Sequence, residues 1–429
     1  MSGNNDYGGD DPFAIRILQP NQLRIIRVIG EQRLTIEEET EKRDGSGPRG
    51  AFGRIRNKKS TEGQSQTSRE MKTMGVGVRL FEAVDSQTGE RLIMKEFLPM
   101  MRNVAMGEVE LYRYLHHWVQ TNHPSWQPSD IPIVPFHGYL QTGPEVEDPS
   151  FVYDWAERFG SSVPPPLAGN TWVVLRTPGL ITLTSLPRLA LEREGGGGGK
   201  ATKGWLGKLL FPDVYKTRIA YLKNLMAGAI DALSLLHEAG VCHGALSPST
   251  LLVSTADLRE GGREGGMEVW LSDLGFAKNV LSQEKVDFEG LVKRDWKGCS
   301  YSLLEVFLRL MAEDEEEEEK KQGEGLGGVE GGLGRWEEGF GLPFAQVTAG
   351  SLQGVTEARF GGDVGVGLRG LVSNERVFKK AVECLDEEGG AGWVLLNDMA
   401  NVERLMMGEE RGVYGVGERL LGSGFFDDD

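Results

Sequence analysis

The segment LHEAGVCHGALSPSTLLV, residues 236–253, decides the fold of this chain of 429 residues. Before it, apolar residues recur at the three- and four-residue spacing of a buried helix face: Leu222, Leu225, Ala229, Leu233 and Leu236. Ala239-Gly240 then closes the pattern, which predicts a helix over 213–240. Short apolar runs at 250–253 and 269–271 predict two strands, and Asp273-Leu274-Gly275 predicts a turn. A long helix therefore leads into a polar loop, a strand pair and a turn that carries a carboxylate.

Upstream of this segment, runs rich in Val, Ile and Leu alternate with turn sequences, as expected for a sheet. The expected elements are a hairpin over 13–29 broken at 20–22, strands over 76–84 and 91–97, a helix over 101–118, and strands over 131–140 and 171–176. Downstream, the spacing predicts a helix over 295–312 and a largely helical last third. Strands with one helix, followed by mostly helices, predict an α+β fold with a β-rich N-terminal lobe and a mainly helical C-terminal lobe.

Low-complexity segments interrupt this pattern and set the expected domain boundaries. Residues 42–72 contain nine Lys or Arg among polar residues and are typical of a basic linker. Proline, glycine or acidic runs form inserts at 141–170, 193–204 and 313–334. We predict an N-terminal extension over 1–70, an N-terminal lobe over 71–179 and a C-terminal lobe over 180–429.

The composition excludes several classes of protein. The formal net charge is -17, from 47 basic and 64 acidic residues, which argues against a nucleic-acid or anionic-membrane binder. Cys242, Cys299 and Cys384 are too few and too scattered for a disulfide framework or a Cys-x-x-Cys metal site. No segment approaches the roughly 20 apolar residues of a membrane helix, and the N-terminus lacks the apolar core of a signal peptide. We expect a soluble intracellular protein without a membrane span, in a compartment left open.

Six motifs, in their usual order, resemble those of the protein-kinase family. They are the lysine strand at 88–95, the glutamate helix at 107–111, the lead-in and catalytic loop at 236–253, the metal loop at 273–278, the start of a large helix at 295–298, and the closing helices at 405–426 with Arg411. The resemblance covers 71–429 with insertions. It implies the bilobal fold of a Ser/Thr protein kinase.

This resemblance implies a site for ATP and magnesium. Lys95 would hold the nucleotide phosphates and Glu108 would hold Lys95, with Glu110 as a competing candidate on the same helix. Asp273 would bind the Mg²⁺ that bridges the phosphates. Gly75 would be the remnant of a Gly-rich phosphate loop over 73–78. A second Gly-rich match at 45–50 contains a proline and lies far from the lysine in sequence, so we interpret it as a chance match.

The departures from the family pattern remove chemistry from the catalytic loop. Ala245 stands where the family has the aspartate that accepts the substrate proton, so no catalytic base is predicted. Ser247 stands at the place of a lysine that contacts the transferred phosphate, and Thr250 at that of an asparagine that binds the second magnesium. Gly244 replaces the arginine that reads a phosphorylated activation loop, and an Ala-Pro-Glu motif is missing from 273–295.

The sequence therefore favours a pseudokinase that acts as a scaffold or regulatory protein by binding another protein, with weak ATP binding as a possible structural remnant. Its extension over 1–70 and its three inserts would be the surfaces on which protein partners dock. Two alternatives stay open: a weak or atypical Ser/Thr protein kinase that uses ATP, and an atypical small-molecule kinase of the same fold. The absence of a base at Ala245 speaks against both.

Overall fold

The computed structural model describes residues 16–38, 72–176, 181–187, 214–263, 265–279, 287–312, 347–406 and 412–426. The chain divides into two compact units, which we call the sheet unit (Ala14–Glu110 and Phe136–Pro178) and the helical unit (Leu111–Pro135 and Gly179–Asp429). Strands dominate the first and helices the second, so the fold belongs to the α+β class. The basic linker, the inserts at 193–204 and 313–334, and Arg411 lie outside the described residues.

The sheet unit is built on one antiparallel sheet of five strands in the order β1-β2-β3-β5-β4. Its strands are β1 (Leu23–Glu38), β2 (Lys72–Asp85), β3 (Arg91–Phe97), β4 (Phe136–Gln141) and β5 (Thr171–Arg176). The turn between β2 and β3 is closed by the Asp85 carboxylate, which accepts hydrogen bonds from the amides of Gln87 and Thr88 at 2.7 and 3.0 Å. The predicted strands at 76–84, 91–97 and 171–176 are confirmed.

The predicted hairpin over 13–29 is wrong. Pro20–Gln22 form a single 3₁₀ turn, and the apolar run that follows continues through β1 as the partner of β2. Ile17 makes only an isolated bridge to Tyr139. The long antiparallel partner β2 pairs with β1 along its whole length, apart from two register shifts, and a short hairpin within the segment could not match this ladder.

The predicted strand over 131–140 begins later than expected, at Phe136. Proline lacks the amide hydrogen that a ladder needs, and Pro132 and Pro135 therefore keep 131–135 out of the sheet. The insert that follows contains a helix that the sequence reading missed, α2 (Pro149–Phe159). Asp148 caps it by accepting from the amide of Ser150, with Pro149 at the first helical position.

The helices of the rest of the chain follow the prediction closely. Helix α1 (Arg102–Asn122) precedes β4, and α3 (Val214–Glu238) is the predicted helix over 213–240. The remaining helices are α4 (Leu258–Gly261), α5 (Phe288–Leu310), α6 (Ala349–Phe360), α7 (Arg369–Ser373), α8 (Lys379–Ala400, broken at Glu387–Gly390), α9 (Glu403–Met406) and α10 (Val416–Leu421). Short strands β6 (Ile181–Thr182), β8 (Leu251–Val253) and β9 (Val269–Leu271) form a second sheet, and β7 (Val241–Cys242) pairs with β10 (Lys278–Asn279).

Two expectations about these helices need correction. Helix α5 begins at Phe288, capped by Asp287, so Asp295 lies inside the helix rather than at its start. Among the described helices, α3 is long and apolar enough to cross a membrane, against the expectation that no segment would reach that limit. More than half of its apolar window is buried inside the protein, with Leu222, Leu225 and Leu233 at 1% exposure or less. The described residues therefore contain no clear membrane span.

Candidate functional site

Lys95 and Glu108 meet inside the sheet unit. The Lys95 Nζ atom lies 2.8 Å from Glu108 Oε1 and 2.9 Å from Oε2, so one ammonium donates to both oxygens of one carboxylate. The lysine side chain is 5% exposed and the glutamate side chain 0%. The central position of β3 in the sheet and the helical register of α1 place the two groups. Of the two candidate glutamates, Glu108 contacts the lysine, while Glu110, two residues further along α1, is exposed.

A buried ion pair of this kind needs a physical reason. Taking two charges out of water costs several kcal/mol per ion, and hydrophobic residues of similar volume usually give equal or greater stability. The chemistry that such a pair offers is a lysine held in one orientation, able to neutralise an anion such as a phosphate. The pair is thus weak evidence for added stability, and it fixes the lysine in one orientation.

Gly75 does not lie in a loop. It sits within β2, where its backbone pairs with Thr35 of β1, and the whole of 73–78 is strand. The prediction of a phosphate loop over 73–78 is therefore wrong, because β1 extends far enough to pair with these residues. The connection between β1 and β2 comprises residues 39–71, which include the Gly-rich match at 45–50 and lie outside the described residues.

In the helical unit, the loop that follows α3 is anchored by one carboxylate. Asp295 of α5 accepts hydrogen bonds from the amide of His243 at 2.6 Å, from the amide of Gly244 at 2.8 Å and from His237 Nε2 at 3.2 Å. Gly244 has a φ of 79°, a conformation that glycine adopts at little cost. The conformation of the loop is therefore fixed by hydrogen bonds to the Asp295 carboxylate, which is buried, with 1% exposure.

His237, Cys242 and Asp295 also form a compact group of three potential metal ligands, whose donor atoms all lie within 4.8 Å of one another. The Asp295 carboxylate already accepts three hydrogen bonds, which favours a hydrogen-bonded junction over an ion site. Burial raises the pKa of the Cys242 thiol far above its usual range, with the Asp295 charge acting in the same direction.

His243 connects this loop to the segment that carries Asp273. Its Nε2 lies 2.6 Å from the carbonyl oxygen of Ser272, and its Nδ1 lies 3.4 Å from the amide of Ala245. Both ring nitrogens are therefore engaged, and the ring is completely buried. This geometry fits a structural histidine that moves no proton.

The positions that depart from the kinase pattern carry structural contacts. The Thr250 hydroxyl accepts from the Ser247 amide at 3.1 Å and donates to the Ser247 carbonyl at 2.9 Å, so it closes the turn and is 3% exposed. The Ser247 and Ser249 hydroxyls lie 2.8 Å apart. Ala245 contributes no acceptor, and the Asp295 carboxylate that reaches this loop is buried and engaged. The loop therefore contains no group able to act as a general base.

Asp273 has an unusual backbone. Its φ of 64° and ψ of 48° lie in the left-handed region, and Asp273 and Glu388 are the two described non-glycine residues with positive φ. A backbone of this kind costs on the order of 1 kcal/mol and tends to occur where function requires it. The conformation places Asp273 at the start of a 3₁₀ turn, Leu274–Phe276, with its side chain partly exposed. Aspartate is one of the few non-glycine residues that adopt this conformation readily.

Comparison with known proteins gives no independent assignment. No model of a known protein family matches the chain, and no curated protein matches it. The assignment of roles to Lys95, Glu108 and Asp273 therefore depends on the sequence motifs and on the geometry described above.

Two features of the described residues escaped the sequence reading. One is the junction of His237, Cys242 and Asp295, which are distant in sequence and meet only through the packing of α3 against α5. The other is the apolar face of α2, for which a signal existed: Phe151, Trp155 and Phe159 recur every four residues, as on one face of a helix.

Proposed function

We propose that this chain is a protein kinase-like domain without kinase activity, a pseudokinase that works as a scaffold or regulatory binding protein and retains weak ATP binding. Lys95 would contact the nucleotide phosphates, Glu108 would hold Lys95 in place, and Asp273 would hold Mg²⁺ when the nucleotide is bound. The protein partners would be recognised through the extension over 1–70 and the three inserts at 141–170, 193–204 and 313–334. We further propose that the protein is soluble and intracellular.

The observation that carries this proposal is the buried ion pair in which the Lys95 ammonium contacts both carboxylate oxygens of Glu108. The pair joins the two residues that the kinase resemblance selects. Burying its two charges costs desolvation energy that an apolar contact between the same elements would avoid. A lysine fixed in this way is suited to neutralising phosphate charge. The left-handed backbone of Asp273 adds support for a functional role at this position.

The loss of catalysis follows from the loop at 243–250. Removal of a general base alone lowers a rate by about 10²–10⁴. Here the base position is Ala245, and the Thr250 hydroxyl is turned inward to its own loop. Positioning of ATP could persist without either group, because holding phosphates and transferring them depend on different side chains.

The first test of this proposal is a thermal unfolding measurement with ATP, with and without magnesium. We expect ATP with Mg²⁺ to raise the unfolding midpoint of the wild type, because a ligand at ~100 times its dissociation constant stabilises by about 2.7 kcal/mol. Adenosine, which lacks phosphates, should give a smaller shift that does not depend on Lys95. Asp273→Asn should remove the magnesium dependence and leave the shift from ATP alone.

The control for this test is a variant that lacks the lysine but is stably folded, Lys95→Met with Glu108→Leu. It should respond to ATP no more than the wild type responds to adenosine. If ATP shifts the double variant as much as the wild type, then Lys95 does not contact phosphate. If ATP shifts neither protein, the nucleotide site is lost and only the scaffold role remains.

The second test distinguishes the pseudokinase from a weak Ser/Thr protein kinase. We expect the wild type to transfer no more labelled phosphate from ATP, to itself or to a basic protein substrate, than Asp273→Ala does. The expectation rests on the missing base and on the closed turn at Thr250. Transfer by the wild type that disappears in Asp273→Ala would establish the enzyme and overturn the proposed function.

A further inference from the structure

The sheet unit contains a cavity of about 350 Å³, within the size range of small-molecule sites. It lies between the sheet and helix α2 of the insert and is open to solvent on one side. Its walls are mostly apolar, formed by residues that include Leu23, Met94, Leu140, Trp155, Phe159 and Trp172. All lining residues belong to the sheet unit. The cavity can therefore enclose an apolar group of small-molecule size.

This cavity and the Lys95 site occupy opposite faces of the sheet. Successive side chains of a strand point to opposite faces. Met94 lines the cavity, whereas Lys95, the next residue of β3, pairs with Glu108 of α1. A ligand of the cavity is thus distinct from the nucleotide proposed for Lys95, and the two proposals stand or fall separately.

The polar groups of the inner wall are closed off from a ligand. The Thr142 hydroxyl donates to the carbonyl of Leu167 at 2.5 Å, and the Trp155 Nε1–H donates to the carbonyl of Val163 at 3.0 Å. The Trp172 Nε1 atom is inaccessible to solvent. The interior therefore offers a ligand apolar contact, and any selection by charge has to come from the edge of the cavity.

Three exposed charged residues stand at the edge of the cavity: Glu145, Asp154 and Arg158. The Arg158 guanidinium donates to the carbonyl of Ile25 on β1, so this cation is already held against a backbone oxygen. The Glu145 carboxylate accepts from the amide of Gly143 at 2.9 Å, which is a neutral donor. The Asp154 carboxylate has no hydrogen bond or ion pair with any described residue. Two carboxylates at the edge therefore lack a counter-ion among the described residues.

The surrounding segment adds to this negative charge. Residues 144–159 contain five acidic residues and one basic residue, Arg158. An apolar cavity with one sign of charge at its mouth concentrates the electric field there and attracts ligands of the opposite sign. A ligand that carried its charge at the inner end would lose hydration among the apolar side chains. The arrangement therefore suits a molecule with an apolar body and one cationic end.

We propose that this cavity binds a small amphipathic amine. The apolar body of the amine lies among the aromatic and aliphatic side chains of the wall, and its ammonium group lies at the edge beside Asp154 and Glu145. The ammonium keeps part of its hydration at this exposed edge, so the cost of burying a charge is avoided. The cavity exists because the insert between β4 and β5 folds as α2 and packs over the sheet.

The test is equilibrium dialysis of the full chain against three probes that share a naphthalene body and differ in charge. They are 2-naphthylmethylamine, which carries an ammonium at neutral pH, 2-naphthylmethanol, which is neutral, and 2-naphthoate, which is an anion. We expect saturable binding of the amine, weaker binding of the alcohol and the weakest binding of 2-naphthoate, with differences that shrink as salt is added. Asp154→Asn should weaken amine binding by about two- to fivefold, the contribution of one exposed ion pair, and leave the affinity for the alcohol unchanged.

Matched variants separate the edge of the cavity from the general charge of the insert. Glu157→Gln removes an exposed carboxylate of the same helix that does not line the cavity, and it should leave all three affinities unchanged. Asp154→Lys should weaken the amine further and strengthen binding of 2-naphthoate. Ile25→Trp should fill the cavity and abolish binding of the amine and the alcohol, and Ile25→Phe replaces it if the first variant does not fold.

Four outcomes would overturn the proposal. They are no binding of the amine, binding of the alcohol as tight as that of the amine at low salt, equal effects of Asp154→Asn and Glu157→Gln, and binding that survives filling of the cavity.

Discussion

Lys95→Met is expected to lower the stability of the sheet unit by about 3–5 kcal/mol, the usual cost of breaking a buried ion pair. The substitution removes the ammonium from a carboxylate that is completely buried, with both oxygens within 2.9 Å of the lysine. The measurement is urea unfolding of the variant and the wild type followed by tryptophan fluorescence, to which Trp155 and Trp172 of this unit contribute among the nine tryptophans of the chain.

The double variant Lys95→Met with Glu108→Leu should recover most of the lost stability, because hydrophobic residues of similar size replace a buried ion pair at little cost. Arg91→Met, on the same strand but with its side chain 73% exposed, serves as the matched control and should leave the unfolding midpoint almost unchanged. If the single variant is as stable as the wild type, or if the double variant is no better than the single, the pair does not have the energetic role assigned to it.

Asp295→Ala is expected to destabilise the helical unit by a similar amount, about 3–5 kcal/mol. The change removes the acceptor shared by two buried donors and one half-buried donor, and an unsatisfied buried donor costs about 1–3 kcal/mol. The donors are the amides of His243 and Gly244 and the His237 ring. Asp295→Asn keeps one acceptor oxygen, so this variant should lose less stability than Asp295→Ala.

Hydrogen exchange gives the most direct measurement of this second effect. The amides of His243 and Gly244 should exchange slowly in the wild type and much faster in Asp295→Ala. Glu289→Gln on the same helix, which alters an exposed carboxylate paired with Lys293, should leave exchange of this loop unchanged. Unaltered protection of both amides in Asp295→Ala would mean that the carboxylate does not shape the loop.

Most helices and strands were predicted from the spacing of apolar residues and from turn sequences. The helix over 213–240 and the strand over 91–97 have clear local patterns, and both were predicted nearly to their ends. The resemblance to the protein-kinase family implied that Lys95 pairs with one of two nearby glutamates, and Glu108 indeed contacts the lysine. These features depend on residues close in sequence or on a motif with fixed order.

Long-range packing decided the remainder. The run that follows Pro20 could have paired locally, but β2 supplies a longer partner and draws Gly75 into the same ladder. The acceptor role of Asp295 depends on α5 packing beneath a loop about 50 residues earlier in the chain, and no local pattern records that contact. The cavity beside Trp172 likewise depends on an insert folding back over the sheet. The sequence alone determined most of the helices and strands and the positions that depart from the kinase pattern, because propensity and residue identity are local. The tertiary structure decided which strands pair, which buried groups meet and where a cavity remains, because these depend on residues far apart in the chain.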